Sequence, residues 1–168
     1  FFHNGKNRPL KFNIDRYQNF KDKIIYLTQD HQPVELKELD PSDDEGVKSF
    51  KLIFNAHQRE HFQRNFIEKG LTTANDNDII LISDVDEIPN LESIDIKNLN
   101  NKIILFEQAI FYYKLNRYLP NFKWYGTKAC KKKHLESPQW LRSIKNKKYS
   151  FFRLDTLFSK SKYIDKYY

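Results

Sequence analysis

The sequence has no methionine, a single cysteine, four glycines and six prolines in 168 residues. Cys130 alone excludes an internal disulfide and leaves the redox compartment open. So few glycines and prolines exclude a collagen-like or linker-dominated chain. No apolar run approaches the ~20 residues of a membrane helix, so this stretch does not span a bilayer. What is present is 39% hydrophobic, 15% aromatic and 30% charged residues. That is a globular composition, because disordered chains have too little apolar surface to bury. The length suits one domain with a real core. The chain starts at Phe1 and stops in "SKYIDKYY", and both ends read as cuts. The expectation is therefore a single domain over 1–168, truncated at both ends, and the lack of a leader or anchor carries no information.

The formal charge of +7 is unevenly spread. Residues 30–46 are acidic, whereas 123–148 hold "KWYGTKACKKKH" and "RSIKNKKY". Such a basic stretch suits a polyanionic partner or is a solvated lysine-rich surface.

"KIIYL" (23–27) reads as a short buried strand, followed by a loop with Pro33, Pro41 and Gly46. Residues 47–69 read as a helix. Phe50, Ile53, Phe54, Phe62 and Phe66 recur at three- and four-residue steps, and Gly70 stands at the C-terminal cap. "NDNDIILISD" is the next strand and 102–116 a third, with a bulge or a bend. Strand, helix, strand is the βαβ unit, so the expected fold is α/β with an open, mostly parallel sheet flanked by helices. Ligands of such sheets bind outside the carboxyl ends of the strands.

At one of those ends, "DNDIILISDVDEIPN" (76–90) runs from four apolar residues into Asp84, Asp86 and Glu87, with Pro89 stopping the strand. Carboxylates so close repel one another unless a cation lies between them. Asp84 and Asp86 are two apart and emerge on the same side of an extended segment. A divalent ion on one or two carboxylates, completed by water and substrate phosphates, is the usual arrangement at phosphoryl-bearing sites. It would act as a Lewis acid on a diphosphate leaving group. The plain structural alternative is a solvated turn in which Asp84 or Asp86 caps backbone N–H groups.

"IILISDVDEIPN" resembles the central motif of glycosyltransferase family 17, known for adding the bisecting N-acetylglucosamine, β-1,4-linked, to the β-mannose of N-glycans. "HFQRNFIEKGL" is similar to the helix preceding that motif, with Arg64 and Gly70–Leu71. "GKNRPLKF" (5–12) resembles the upstream Gly-x-x-Lys-Pro-Leu-x-Phe segment, with Arg8 in the Lys position. "FYYKLN" and "WYGTK" resemble the tyrosine-rich strand and its Trp-Gly sequel. The resemblance spans residues 5 to 140. It implies a GT-A-type, Rossmann-like transferase with a divalent metal, most often Mn²⁺, on Asp84 and Asp86. The implied donor is UDP-N-acetylglucosamine, transferred with inversion to a glycan or glycoprotein acceptor. Asp84 and Asp86 carry over as the metal and donor-diphosphate site, and Arg64 and Arg8 as further donor-binding candidates. For Arg64 an ion ladder with Glu60 and Glu68 is the alternative, and for Arg8 plain surface. Inversion needs a base on the acceptor hydroxyl; Glu87 and Glu107 are the carboxylates to test. Trp124 and Tyr125 offer stacking faces to an acceptor sugar. Family members carry a strand and helix before the Gly-x-x-Lys-Pro segment and a Gly-Trp-His region after it, both absent here. The resemblance thus implies an internal fragment that on its own need not be active. Membrane association would come only through parts outside this chain, in a Golgi-like setting if eukaryotic and the cytoplasm otherwise.

Two rivals come from the residues. "HQREH" (57–61) puts His57 and His61 one helical turn apart with Glu60 between them, the inverted zinc-protease signature of a zinc metallohydrolase. It lacks an evident third ligand, and Arg59 and Arg64 place positive charge nearby. The other rival is a non-enzymatic nucleic-acid-binding module in which Lys131, Lys132 and Lys133 lie near Trp124, Tyr125 and Trp140. No nucleic-acid fold signature accompanies it, so no nucleic-acid partner is expected.

Overall fold

A computed structural model describes residues 12–92, 94–96, 102–114, 116–146 and, for the backbone, 164–167. The chain divides into two compact units, Phe1–Thr72 and Thr73–Tyr168. Among the described residues no helix is long and apolar enough to cross a membrane.

In the first unit a 3-10 helix, Ile14–Lys23, leads by an irregular segment to α1, Glu45–Phe66, and a closing 3-10 turn, Ile67–Leu71. Asp44 starts α1, its carboxylate accepting the Val47 N–H at 2.8 Å, which satisfies one of the helix's unpaired donors. The helix expected over 47–69 is thus present as far as Phe66, but Gly70 is not its cap: Ile67 caps α1, and Gly70 lies inside the 3-10 turn that follows. The strand expected over 23–27 is not. Lys23 ends the 3-10 helix, and Ile25 is 63% exposed. A strand needs a neighbouring ladder, and among the described residues this unit has none. Leu27 and Ile25 instead approach Gly70, where an added Cβ would stand 3.4 Å from Leu27 Cδ1.

The apolar stripe of α1 is only partly covered. Phe50 and Ile53 are each 59% exposed, and the buried residue of the helix is Asn55. Its side chain accepts the Lys37 N–H and donates to the Lys37 carbonyl, both at 2.7 Å, standing in for a strand partner. The segment facing the helix in this unit therefore offers backbone groups where apolar side chains were expected. Asn55→Ala leaves both Lys37 groups without that partner. It is expected to cost about 2 kcal/mol and to speed exchange of the Lys37 amide, measured by hydrogen exchange; unchanged protection would mean water replaces the side chain.

The second unit is built on β1 (Ile79–Ile82), β2 (Ile103–Phe106), β3 (Lys128–Lys131) and β4 (Ile164–Tyr167), in the order β1-β3-β2-β4. β3 runs antiparallel to both β1 and β2, with Ile79 opposite Lys131 and Ile104 opposite Ala129. β2 and β4 are parallel. The sheet is therefore mixed, which corrects the mostly parallel arrangement expected from βαβ order. The physical reason lies in the connection between β2 and β3. After Phe106 the chain leaves the sheet as a loosely paired arm, bridged at Gln108–Trp124 and Phe111–Tyr118, and returns. A hairpin return forces antiparallel pairing. The third strand expected over 102–116 therefore ends at Phe106, and Tyr113 in the arm has φ 64°, a strained value for a non-glycine residue.

All four residues of β2 are buried, and Ile104, Phe106 and Ala129 form a core with Ile79, Leu81, Ile94 and Ile96 packed against it. Cys130 is also buried, its thiol pushed up to about 12 by burial, so it is an inert packing residue. A short helix, α2 (Pro138–Ser143), packs on β1 and β3. Ser137 caps it by accepting the Trp140 N–H at 3.1 Å, and Pro138 fits the first turn, where no N–H is needed. At the other end buried Lys128 of β3 reaches the Arg142 and Ile144 carbonyls. The sheet thus fixes where α2 ends, and with it the side chain of Arg142.

Candidate functional site

β1 delivers the chain into a tight turn, Asp84 to Glu87, closed by the Glu87 N–H donating to the Asp84 carbonyl at 3.0 Å. The Glu87 carboxylate folds back to accept the Asp84 N–H at 3.0 Å. Ser83 Oγ donates to the Glu87 carbonyl at 2.6 Å, so the 2.7 Å bond between Ser83 Oγ and Thr127 Oγ1 uses the Thr127 proton. The turn is therefore stitched to the start of β3.

Arg142 closes the site from the end of α2. Its Nη2 donates to Asp84 Oδ2 at 2.6 Å and Glu87 Oε1 at 2.7 Å; its Nη1 donates to Glu87 Oε2 at 2.8 Å and to the Gly126 carbonyl. The Trp124 indole N–H donates to Glu87 Oε1 at 2.8 Å, and the guanidinium carbon lies 5.9 Å from that ring's centroid. The side chains of Arg142 and Glu87 are 12% and 8% exposed, while that of Asp84 is 43% exposed. Burial alone would raise the Glu87 pKa, but the hydrogen bonds from Arg142, the Asp84 N–H and Trp124 outweigh it and hold the carboxyl below its ordinary value. Burial likewise opposes the charge on Arg142, and Glu87 and Asp84 more than compensate, raising its pKa.

Gly126 is fixed by this packing. A Cβ there would fall 2.1 Å from Glu87 Oε1 and 2.3 Å from Trp124 Nε1, so only glycine lets the backbone come this close.

Asp84, Asp86 and Glu87 thus lie in one turn, and Trp124 packs against it through its bond to Glu87. Asp86 is exposed and has no hydrogen-bond or ion-pair partner among the described residues. Next to Trp124, Tyr125 Oη donates to Glu107 Oε2 at 2.5 Å, and Lys123 Nζ lies 3.1 Å from Glu107 Oε1. Both candidate bases are therefore linked to the 123–126 segment. Arg64 lies in the first unit, where it bonds Glu60 at 2.8 Å on α1, the ion ladder open to it from sequence. Arg8 lies outside the described residues. Sequence reasoning missed Arg142 and Gly126. Arg142 stood inside a basic run that read either as a polyanion-binding face or as solvated surface, and Gly126 passed as part of Trp-Tyr-Gly-Thr; only the contact across the fold reveals either.

The two rivals gain nothing. Among the described residues no group of three His, Cys, Asp or Glu side chains could hold a metal ion. Glu60 turns to Arg64, whose hydrogen bond chiefly holds its carboxyl below the ordinary value, and the His57 and His61 rings stand 6.1 Å apart. In the basic stretch, Lys128 serves α2, Lys132 Nζ donates to the Ala74 carbonyl at 2.5 Å, and Lys133 Nζ to Asn77 Oδ1 at 2.9 Å. These lysines hold the turn before β1 and the end of α2.

Carboxylate, guanidinium and indole groups are those that engage metal ions, phosphates and sugar rings. The sequence model of glycosyltransferase family 17 matches residues 2–161. The chain belongs to that family, a family of transferases whose partners are a nucleotide-sugar donor and a glycan acceptor. No curated protein and no solved structure matches it.

Proposed function

We propose that the chain transfers N-acetylglucosamine from UDP-N-acetylglucosamine to a glycan, with inversion and with a divalent ion, Mn²⁺ foremost, on a GT-A-like framework. The observation that carries this reading is the acidic turn at the carboxyl end of β1, with Asp86 exposed, in a family 17 chain. The residues fit the ion. Two carboxylates suffice where water and donor phosphates complete the coordination, and Asp84 and Asp86 are a hard-oxygen pair reachable from solvent. Bound there, the ion supplies Lewis-acid neutralisation of the diphosphate leaving group.

The chain's own groups divide the remaining work. Glu87, ion-paired through both oxygens, positions the turn. Glu107 is the better placed base, because its hydrogen-bond partner Tyr125 and the neighbouring Trp124 present aromatic faces on which an acceptor sugar can stack. Calorimetric titration with UDP-N-acetylglucosamine tests the reading. Binding is expected with Mn²⁺, lost with chelator, and weakened roughly 100-fold or more in Asp86→Ala. Equal binding with and without metal would retire the ion, and no binding at all would retire the donor.

A further inference from the structure

Arg142 has four Nη hydrogens and a directed use for each. Three are committed inward, two to the carboxylate oxygens of Glu87 and one to the Gly126 carbonyl. The fourth points at Asp84, the more exposed carboxylate of the pair. Should Asp84 turn to another cation, the guanidinium would stay in place on three bonds and present one N–H outward. Charge points the same way. Asp84, Asp86 and Glu87 against Arg142 leave a formal charge of −2, three carboxylates less one guanidinium. One divalent ion neutralises that, and a diphosphate arriving next needs a further donor.

We propose that Arg142 is a donor-binding residue: it occupies Asp84 as a resident cation until the divalent ion is bound, and its released Nη2 then hydrogen-bonds the diphosphate of the nucleotide-sugar. This rests on the donor reading above. A planar fork held bidentately on one side by Glu87 is pre-organised for an anion on the other, which an ammonium cannot reproduce.

Arg142→Lys in the 168-residue chain keeps the charge and removes the fork. Calorimetry with Mn²⁺ alone, and with uridine diphosphate in saturating Mn²⁺, separates the two roles. The expected result is Mn²⁺ binding at least as tight as in the wild type, with diphosphate binding weakened roughly 10- to 100-fold. Diphosphate affinity within about twofold of the wild type overturns the proposal, as does a tenfold loss of Mn²⁺ affinity, which would make Arg142 a scaffold for the metal turn. If the wild-type chain itself fails to bind diphosphate with Mn²⁺, the donor reading falls as well. A second measurement needs no variant. The Trp124 ring lies beside Arg142, its centroid 5.9 Å from the guanidinium carbon. With Mg²⁺ present, diphosphate is expected to shift the Trp124 indole N–H resonance, which the Trp124 hydrogen bond to Glu87 ties to the Arg142 fork; an unmoved Trp124 signal overturns the proposal.

Discussion

Gly126→Ala is expected to destabilise the second unit by roughly 3–5 kcal/mol and to abolish donor binding. The new methyl would fall 2.1 Å from Glu87 Oε1, 2.3 Å from the carboxylate carbon and 2.3 Å from Trp124 Nε1. A flexible side-chain end could step aside cheaply, but Glu87 is not flexible. Arg142 holds both its oxygens, the Asp84 N–H holds one and the Trp124 indole the other. Moving it breaks a buried ion pair, and moving the backbone displaces the start of β3. Both tryptophans lie in this unit, so denaturant unfolding followed by tryptophan emission reports on it alone. A variant within ~0.5 kcal/mol of the wild type, the range of an ordinary surface change, would mean that the Glu87 clamp is looser than the contacts imply.

The legible parts of this chain were those whose signal is local. The three- and four-residue rhythm of Phe50, Ile53, Phe54, Phe62 and Phe66 marked α1, and four apolar residues before the acidic turn marked β1. "KIIYL" carried the same local signal as β1 and did not become a strand, because strand formation depends on a neighbour that the segment itself cannot encode. The direction of the sheet was hidden for a related reason. Whether β2 neighbours β1 depends on the arm after Phe106 turning back at Tyr113 and Lys114, and its aromatic run looks like a continuing strand. At the site, three carboxylates in four residues were plain in the sequence, whereas the guanidinium that pairs with two of them lies 55 residues beyond Glu87. Sequence spacing exposes clustered ligands and conceals their counter-ions. It is also silent on the division of labour among the carboxylates, since Glu87 and Asp86 are neighbours in the chain, one buried and ion-paired, the other exposed.

That division gives the second large effect. Glu87→Ala is expected to cost about 3–5 kcal/mol, because it leaves Arg142 buried with one carboxylate and deprives the Trp124 indole and the Asp84 N–H of their acceptor. Arg142→Ala is expected to cost a similar amount by stranding Glu87. The double variant should fall short of the sum by about 2 kcal/mol, since the second removal relieves the charge the first exposed. Acid should report the same pair. The folded pKa of Glu87 lies below its unfolded value, so its contribution is complete above the ordinary carboxylate range and lost as pH falls through the depressed value. Glu87→Gln is therefore expected to flatten the acid limb of the stability profile. A catalytic base would behave differently. Glu87→Gln would then leave unfolding within ~0.5 kcal/mol of wild type while transfer to the acceptor ceased, and that outcome would return the base to Glu87 and leave Glu107 to position Tyr125.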